Sequence, residues 1–115
     1  MKDAVKSNKP LRDRLQSDNC AKALKALADP ERLKLVQCLQ ERPHTVSALA
    51  ERLQSNLANV SHHLGVLRHA GLVCDKKQGK FVLYTLDPAV FRGNEGELPT
   101  TADLGCCRLE LRPPT

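Results

Sequence analysis

Tryptophan is absent, tyrosine occurs once and phenylalanine twice in 115 residues. An aromatic share of 3% against 41% hydrophobic residues leaves a core of Leu, Val and Ala. Such a core suits packed helices better than a β-sandwich. No run approaches the roughly 18 apolar residues of a membrane span, and no signal-peptide pattern opens the chain. Both point to a cytoplasmic protein with no membrane partner. Cysteine occurs five times, an odd number without disulfide-framework spacing, and a reducing compartment leaves such residues as thiols. No C-x-x-C is present, and no glycine-rich loop precedes any cysteine. The missing loop counts against a thiol enzyme such as an arsenate reductase, which must cradle an oxyanion. No catalytic residue and no required cofactor are therefore assigned.

What the chain has in excess is positive charge. A net charge of +5, with an isoelectric point near 9.1, favours polyanionic partners and says nothing about fold. The length is that of one small domain, and no internal repeat is visible.

Residues 1–9 are polar and read as a flexible N-terminal segment, residues 10–91 as the folded domain and residues 92–115 as a C-terminal tail. Pro10 can open a short first helix with Leu11 and Leu15 on one side. Ser17-Asp18-Asn19 can cap a second, in which Leu24 and Leu27 follow Cys20 at i+4 and i+7 until "ADP" stops it. Asp29 caps a third helix with Pro30 at its first position, burying Leu33, Val36 and Leu39; Pro43 ends it. "TVSALAERL" is a short fourth helix, and Ser55 or Asn56 caps a fifth that runs to Gly71. After Gly71 the period changes. "LVCDKKQGKFVLYTL" is two β-rich runs around Lys77-Gln78-Gly79-Lys80, a hairpin signal. Asp87-Pro88 starts at most one helical turn, residues 92–101 read as a loop, and "ADLGCCRLELR" as an extended tail with Leu109 and Leu111 on one side. The predicted fold is mostly α with a small β-hairpin, a winged helix-turn-helix.

The fifth helix carries the functional signal. Leu57, Val60, Leu64 and Leu67 form one apolar stripe. Opposite lie Ala58, Asn59, His62 and His69, with Ser61 and Gly65 on the flank. His62 and His63 are adjacent, hence about 100° apart on a helix, whereas a helical two-histidine chelate needs one face at i and i+4. The histidines therefore belong to a surface rather than to a metal site. Small residues let a helix backbone approach a major groove, while amide, hydroxyl and imidazole groups hydrogen-bond base edges. Lys76, Lys77 and Lys80, at the hairpin tip, can reach phosphates. The predicted DNA-binding set is Ala58, Asn59, Ser61, His62, Lys76, Lys77 and Lys80, with His63 packing at the stripe's edge. A winged-helix module that binds protein instead is the alternative of the same fold, and salt dependence on duplex DNA separates the two.

The segments "ALKALADPERLKLVQCL", "TVSALAERL", "NVSHHLGVLRHAGLV" and "GKFVLYTL" resemble the ArsR/SmtB family of winged-helix repressors. The resemblance covers residues 20–86, and "VSHHL…LRHAGLV" is its most specific part. It implies a homodimer that binds double-stranded operator DNA near its own promoter and leaves when an inducer, often a metal or metalloid, binds. It also implies DNA contacts around Asn59, Ser61 and His62 and on the wing. Arsenic-sensing members carry "ELCVCDL" where this chain has "PHTVSAL", so Thr45 and Ser47 stand where the thiolates would be. Zinc-sensing members place Asp and His ligands on a long final helix, for which this chain has no period. Dimerisation is accordingly expected of the N-terminal helices, through Leu11, Leu15 and Leu24.

Among the cysteines, Cys38 lies in a helix among Leu35, Val36 and Leu39 and reads as core. Cys74, in the first wing strand, reads as structural. Cys20 sits in a first helical turn, where the dipole favours the thiolate, yet it also continues the Leu24/Leu27 face; both roles stay open. Cys106-Cys107 lies outside any core element and offers two soft donors to As(III), Cd(II) or Cu(I). The expected inducer-sensing thiols are Cys106 and Cys107, with Cys20 as third ligand. Redox sensing through the same pair, and packing alone, are the alternatives.

Overall fold

The computed structural model describes residues 8, 10–14 and 17–115. Leu15 and most of the N-terminal segment lie outside the described residues. The helices are α1 (Leu11–Arg14), α2 (Ser17–Leu27), α3 (Pro30–Glu41), α4 (Val46–Leu53) and α5 (Leu57–His69). Three of their starts follow from a capping side chain. Asp29 accepts from the amides of Glu31 and Arg32 at 2.9 and 3.1 Å ahead of α3, with Pro30 at its first position. Thr45 accepts from Ala48 ahead of α4, and Asn56 from Asn59 ahead of α5. Each satisfies an orphan N–H and is worth about 1 kcal/mol. Between α4 and α5 the chain reverses at Gln54, whose φ of +52° ends α4 in a left-handed cap.

The wing follows α5. Strands β1 (Val73–Gln78) and β2 (Phe81–Leu86) pair antiparallel from Val73↔Leu86 to Gln78↔Phe81. The tight loop is therefore Gly79-Lys80, and Lys77 and Gln78 belong to the strand. Gly79 supplies the positive φ, +59°, that a two-residue hairpin loop needs. His44 adds a bridge to Tyr84 from the segment before α4, through backbone bonds of 3.1 and 2.8 Å.

Leu35, Leu49, Leu64, Leu67 and Leu72 are essentially inaccessible, and Val60, Val73 and Leu86 close around them. Truncating one such leucine to Ala costs about 2–5 kcal/mol. The stripe of α5 is Val60, Leu64 and Leu67. Leu57 does not belong to it, being 55% exposed, because it occupies the first helical position, ahead of the packed turns. On α2, Ala23, Ala26 and Leu27 face the core with Cys20, whereas Leu24 is 40% exposed.

Residues beyond the wing depart further from expectation. They are not an extended tail but a three-stranded antiparallel sheet, β3 (Phe91–Arg92), β4 (Thr101–Asp103) and β5 (Arg108–Glu110), in that order. Phe91 and Ala102 pair across it, and both are buried. Leu109 of β5, with Leu104 and Leu111 beside the strands, packs against the core. Gln37 and Gln40 of α3 bond to backbone carbonyls that flank its strands, those of Arg112, Pro99 and Leu111. With neighbours on several sides, α3 buries Leu35, Val36, Cys38, Leu39 and Gln40, a wider arc than one amphipathic face, while Leu33 stays half-buried. Among the described residues, no helix is long and apolar enough to cross a membrane.

Candidate nucleic-acid interface and thiol site

Burial of Val60, Leu64 and Leu67 fixes the roll of α5 and turns Ala58, Asn59, Ser61 and His62 outward, all exposed. Asn56 is committed to the cap, so the polar groups free to face a ligand begin at Asn59. His63 is half-buried, with its Nδ1 3.2 Å from Arg32 Nη1. Arg32 is itself held, its Nε donating 2.6 Å to the Ala26 carbonyl. His63 thus braces α5 against the α2–α3 corner.

Lys76, Lys77 and Lys80 are exposed on the wing. Lys76 stands opposite Leu83 and Lys77 opposite Val82, and successive strand residues point to opposite faces. The two lysines therefore serve different faces of the ribbon. Arg68, on the last turn of α5, meets Asp75 of β1 at 3.2 Å and ties α5 to the wing. His44 is buried; its Nδ1 donates 2.8 Å to the Arg42 carbonyl, and burial pushes its pKa down.

A second cluster lies on the other side of α2. Cys20, on α2, is 1% exposed. The turn joining β4 to β5 is closed by a 2.9 Å bond from the Leu104 amide to the Cys107 carbonyl and carries Cys106 and Cys107 to it. Cys20 and Cys106 are disulfide-bonded, with Cα atoms 6.0 Å apart, and Cys107 Sγ lies 3.7 Å from Cys20 Sγ. This corrects the expectation of five free thiols. The tail folds into a sheet, and the turn of that sheet brings Cys106 within the Cα separation a disulfide requires. All three sulfurs lie within 4.8 Å of one another, and they are the one grouping of three metal-capable donors among the described residues. No histidine joins it. Cys38 is buried and Cys74 half-buried, and burial raises the pKa of both thiols, as befits packing residues.

Periodicity missed the cations that flank α5 from other elements: Lys22 and Lys25 on α2, and Arg32 on α3. They share a groove with Ser61 and His62. The one sequence signal for it is the i, i+3 spacing of Lys22 and Lys25, which means nothing until α2 is set beside α5.

A family described as a helix-turn-helix domain matches residues 27–73. The transcriptional repressor SdpR of Bacillus subtilis is 32% identical over 59% of this chain and 76% of its own length. The arsenical resistance operon repressor of Escherichia coli is 42% identical over 57% of each chain. The homodimeric winged helix-turn-helix DNA-binding domain of Mb0332 from Mycobacterium bovis superposes with a TM-score of 0.66 at 28% identity. It covers 72% of this chain and 77% of that one. Several curated relatives are spanned over little more than half their length, 55%, 56% and 57%.

Proposed function

The chain belongs to the ArsR/SmtB family of winged helix-turn-helix transcriptional regulators, and on that premise we propose that it is a homodimeric repressor of transcription. It binds double-stranded operator DNA through Ala58, Asn59, Ser61 and His62, with Lys76, Lys77 and Lys80 on phosphates. The observation that carries this reading is the α5 face itself. Small and polar side chains stand exposed on a helix whose roll is fixed by three buried aliphatic residues, beside a cationic hairpin. The homodimeric state of the Mb0332 domain supports a dimer here, as do the exposed Leu11 and Leu24.

The inducer in this reading is a soft ion such as As(III), Cd(II) or Cu(I). Reduction of the Cys20–Cys106 bond yields three thiols whose sulfurs already lie within 4.8 Å of one another, a donor set that fits such ions. Cys20, Cys106 and Cys107 would hold the ion; it supplies a cross-link between α2 and the β4–β5 turn. A name that links a 42%-identical relative to arsenical resistance supports the same class of inducer.

The disulfide itself favours a second reading, redox sensing. Oxidation by hydrogen peroxide would join the Cys20 and Cys106 sulfurs, pass two electrons to the peroxide and release two water molecules with the thiol protons.

The test is fluorescence anisotropy of labelled duplexes from the chain's own promoter region, beside random duplexes, with protein reduced by a phosphine. Tight, salt-sensitive binding that prefers the promoter duplex is expected. Release by the soft ions supports the first sensing mode, and release by peroxide alone the second. Equal, salt-insensitive binding to all duplexes sinks the repressor reading.

A further inference from the structure

Gly65 presents a problem that the fold does not solve. It lies inside the 13-residue helix α5, where glycine is less favourable than alanine because it forfeits more backbone entropy. A Cβ built on Gly65 would meet nothing within 4 Å. No neighbour in the protein demands the missing side chain. The space beside it belongs to the groove between α2 and α5, of about 560 Å³, which Gly65 and Val66 line from one side and Lys22, Lys25 and Ala26 from the other.

The groove is electrostatically one-sided. Its walls carry Lys22, Lys25, Arg32 and Arg68, and no carboxylate lines it. The two arginines are already paired, Arg32 with Asp29 and Arg68 with Asp75. Lys22 and Lys25 have no acidic partner among the described ion pairs and stand one turn apart on α2, both exposed. Ser61 and His62 line the groove and also belong to the reading face, so whatever occupies one surface continues into the other.

We propose that this groove is the track of one sugar–phosphate strand of the operator. Lys22 and Lys25 meet consecutive phosphates, and Gly65 is small so that the strand can lie against the α5 backbone. Deoxyribose faces suit the apolar floor, and the phosphates suit its rim. The inference rests on the DNA-binding reading and extends it to a helix outside the helix-turn-helix. The wing would then grip the duplex with one set of cations and α2 with another.

Two variants test it on the full chain, by anisotropy against promoter and random duplexes over a salt series. Lys22→Ala with Lys25→Ala is expected to weaken both duplexes alike. It should also shrink the slope of log affinity against log salt by about 0.9 per contact, about 1.8 in all. Lys34→Ala, an exposed lysine outside the groove and paired with Glu31, controls for net charge and should leave the slope unchanged. Gly65→Ala is expected to raise the melting temperature, because nothing in the fold opposes the methyl group, and yet to lower DNA affinity about tenfold. A residue with only a structural role would move both in one direction. If the wild type binds and the double lysine variant keeps its slope, or Gly65→Ala binds as well as wild type, the groove is not the track. If the wild type binds no duplex, the repressor reading fails and takes this inference with it.

Discussion

Gln40 and Leu111 are joined by a 2.7 Å hydrogen bond from the Gln40 Nε2 amide to the Leu111 carbonyl. The same nitrogen donates 2.9 Å to the carbonyl of Pro99. Pro99 precedes β4 and Leu111 follows β5, so one side chain of α3 grips the open end of the β4–β5 hairpin. Gln40 is only 1% exposed and both bonds are partly buried, where leaving a partner unsatisfied costs about 1–3 kcal/mol. Gln40→Ala is expected to lower stability by that amount and to expose the peptide bond after Arg92 to trypsin. Denaturant titration and timed proteolysis would check both. An unchanged midpoint with no new cleavage means that the sheet is held by its apolar face alone.

The reading face makes the next prediction. Ser61→Ala with His62→Ala removes two exposed side chains and opens no core cavity, so the thermal transition should hold. Each lost base contact costs about 1–3 kcal/mol, enough in sum to erase preference for the promoter duplex. An anisotropy titration unchanged within error would take these residues off the interface.

The helix-turn-helix was legible because period and capping agree there. Asp29-Pro30, Thr45 and Asn56 announce their helices, and Val60, Leu64 and Leu67 recur on one face. Leu57 misled because it shares that spacing but sits in the first turn, before the packing begins. The last sheet was illegible for a different reason. Strands of two or three residues are too short to display alternation, and what holds them, Gln40 to Leu111 and Phe91 beside Ala102, lies far apart in sequence. The Cys20–Cys106 bond spans a separation of 86 residues, and no spacing rule reaches that far. Thr45 and Ser47 could be seen to lack thiolates, but the groove of Lys22 and Lys25 exists only once α2 is laid along α5.

Dimerisation supplies a third prediction. A three-stranded sheet follows the wing, and the proposed dimer would form through α1 and α2. Leu11 is 61% and Leu24 40% exposed, apolar area that a symmetric copy can cover. Leu11→Asp with Leu24→Asp should give a folded monomer with much weaker DNA affinity, since neither side chain enters the protomer's own core. Light scattering after size exclusion decides the matter, and a dimer of the double variant places the interface elsewhere.

His44 predicts a pH dependence. Burial, foremost, depresses its pKa below the usual 6.5, so the folded state takes up a proton less readily than the unfolded chain. Stability is then complete above about pH 6.5 and falls as pH drops toward the depressed folded value, because the unfolded state binds more protons in that window. His44→Gln should lower stability at pH 7.5 yet flatten its decline between pH 6.5 and 5. Urea midpoints across that range provide the check. A wild-type curve that stays flat there would mean that His44 protonates without cost in the fold.

The thiol site makes the last prediction. While Cys20 and Cys106 share a bond, two of the three sulfurs cannot serve as thiolates, so a soft-ion response requires prior reduction. The reduced site would act through α2. Cys20 lies two residues from Lys22, on the helix that walls the groove, and an ion that draws the β4–β5 turn onto Cys20 pulls on that wall. Such a pull releases DNA only if the ion binds the free form more tightly than the bound one, since equal affinity for both shifts nothing. Driving a population from 99:1 to 1:99 takes about 5.5 kcal/mol of differential affinity. The experiment uses Cys106→Ser with Cys107→Ser, reduced and bound to the promoter duplex, titrated in parallel with As(III), Cd(II), Cu(I) and peroxide. The variant is expected to stay on DNA at ion concentrations that fully release the wild type. Wild type released by peroxide but by none of the ions assigns the site to redox sensing. A variant that leaves DNA at the same ion concentration as wild type removes Cys106 and Cys107 from the sensor altogether.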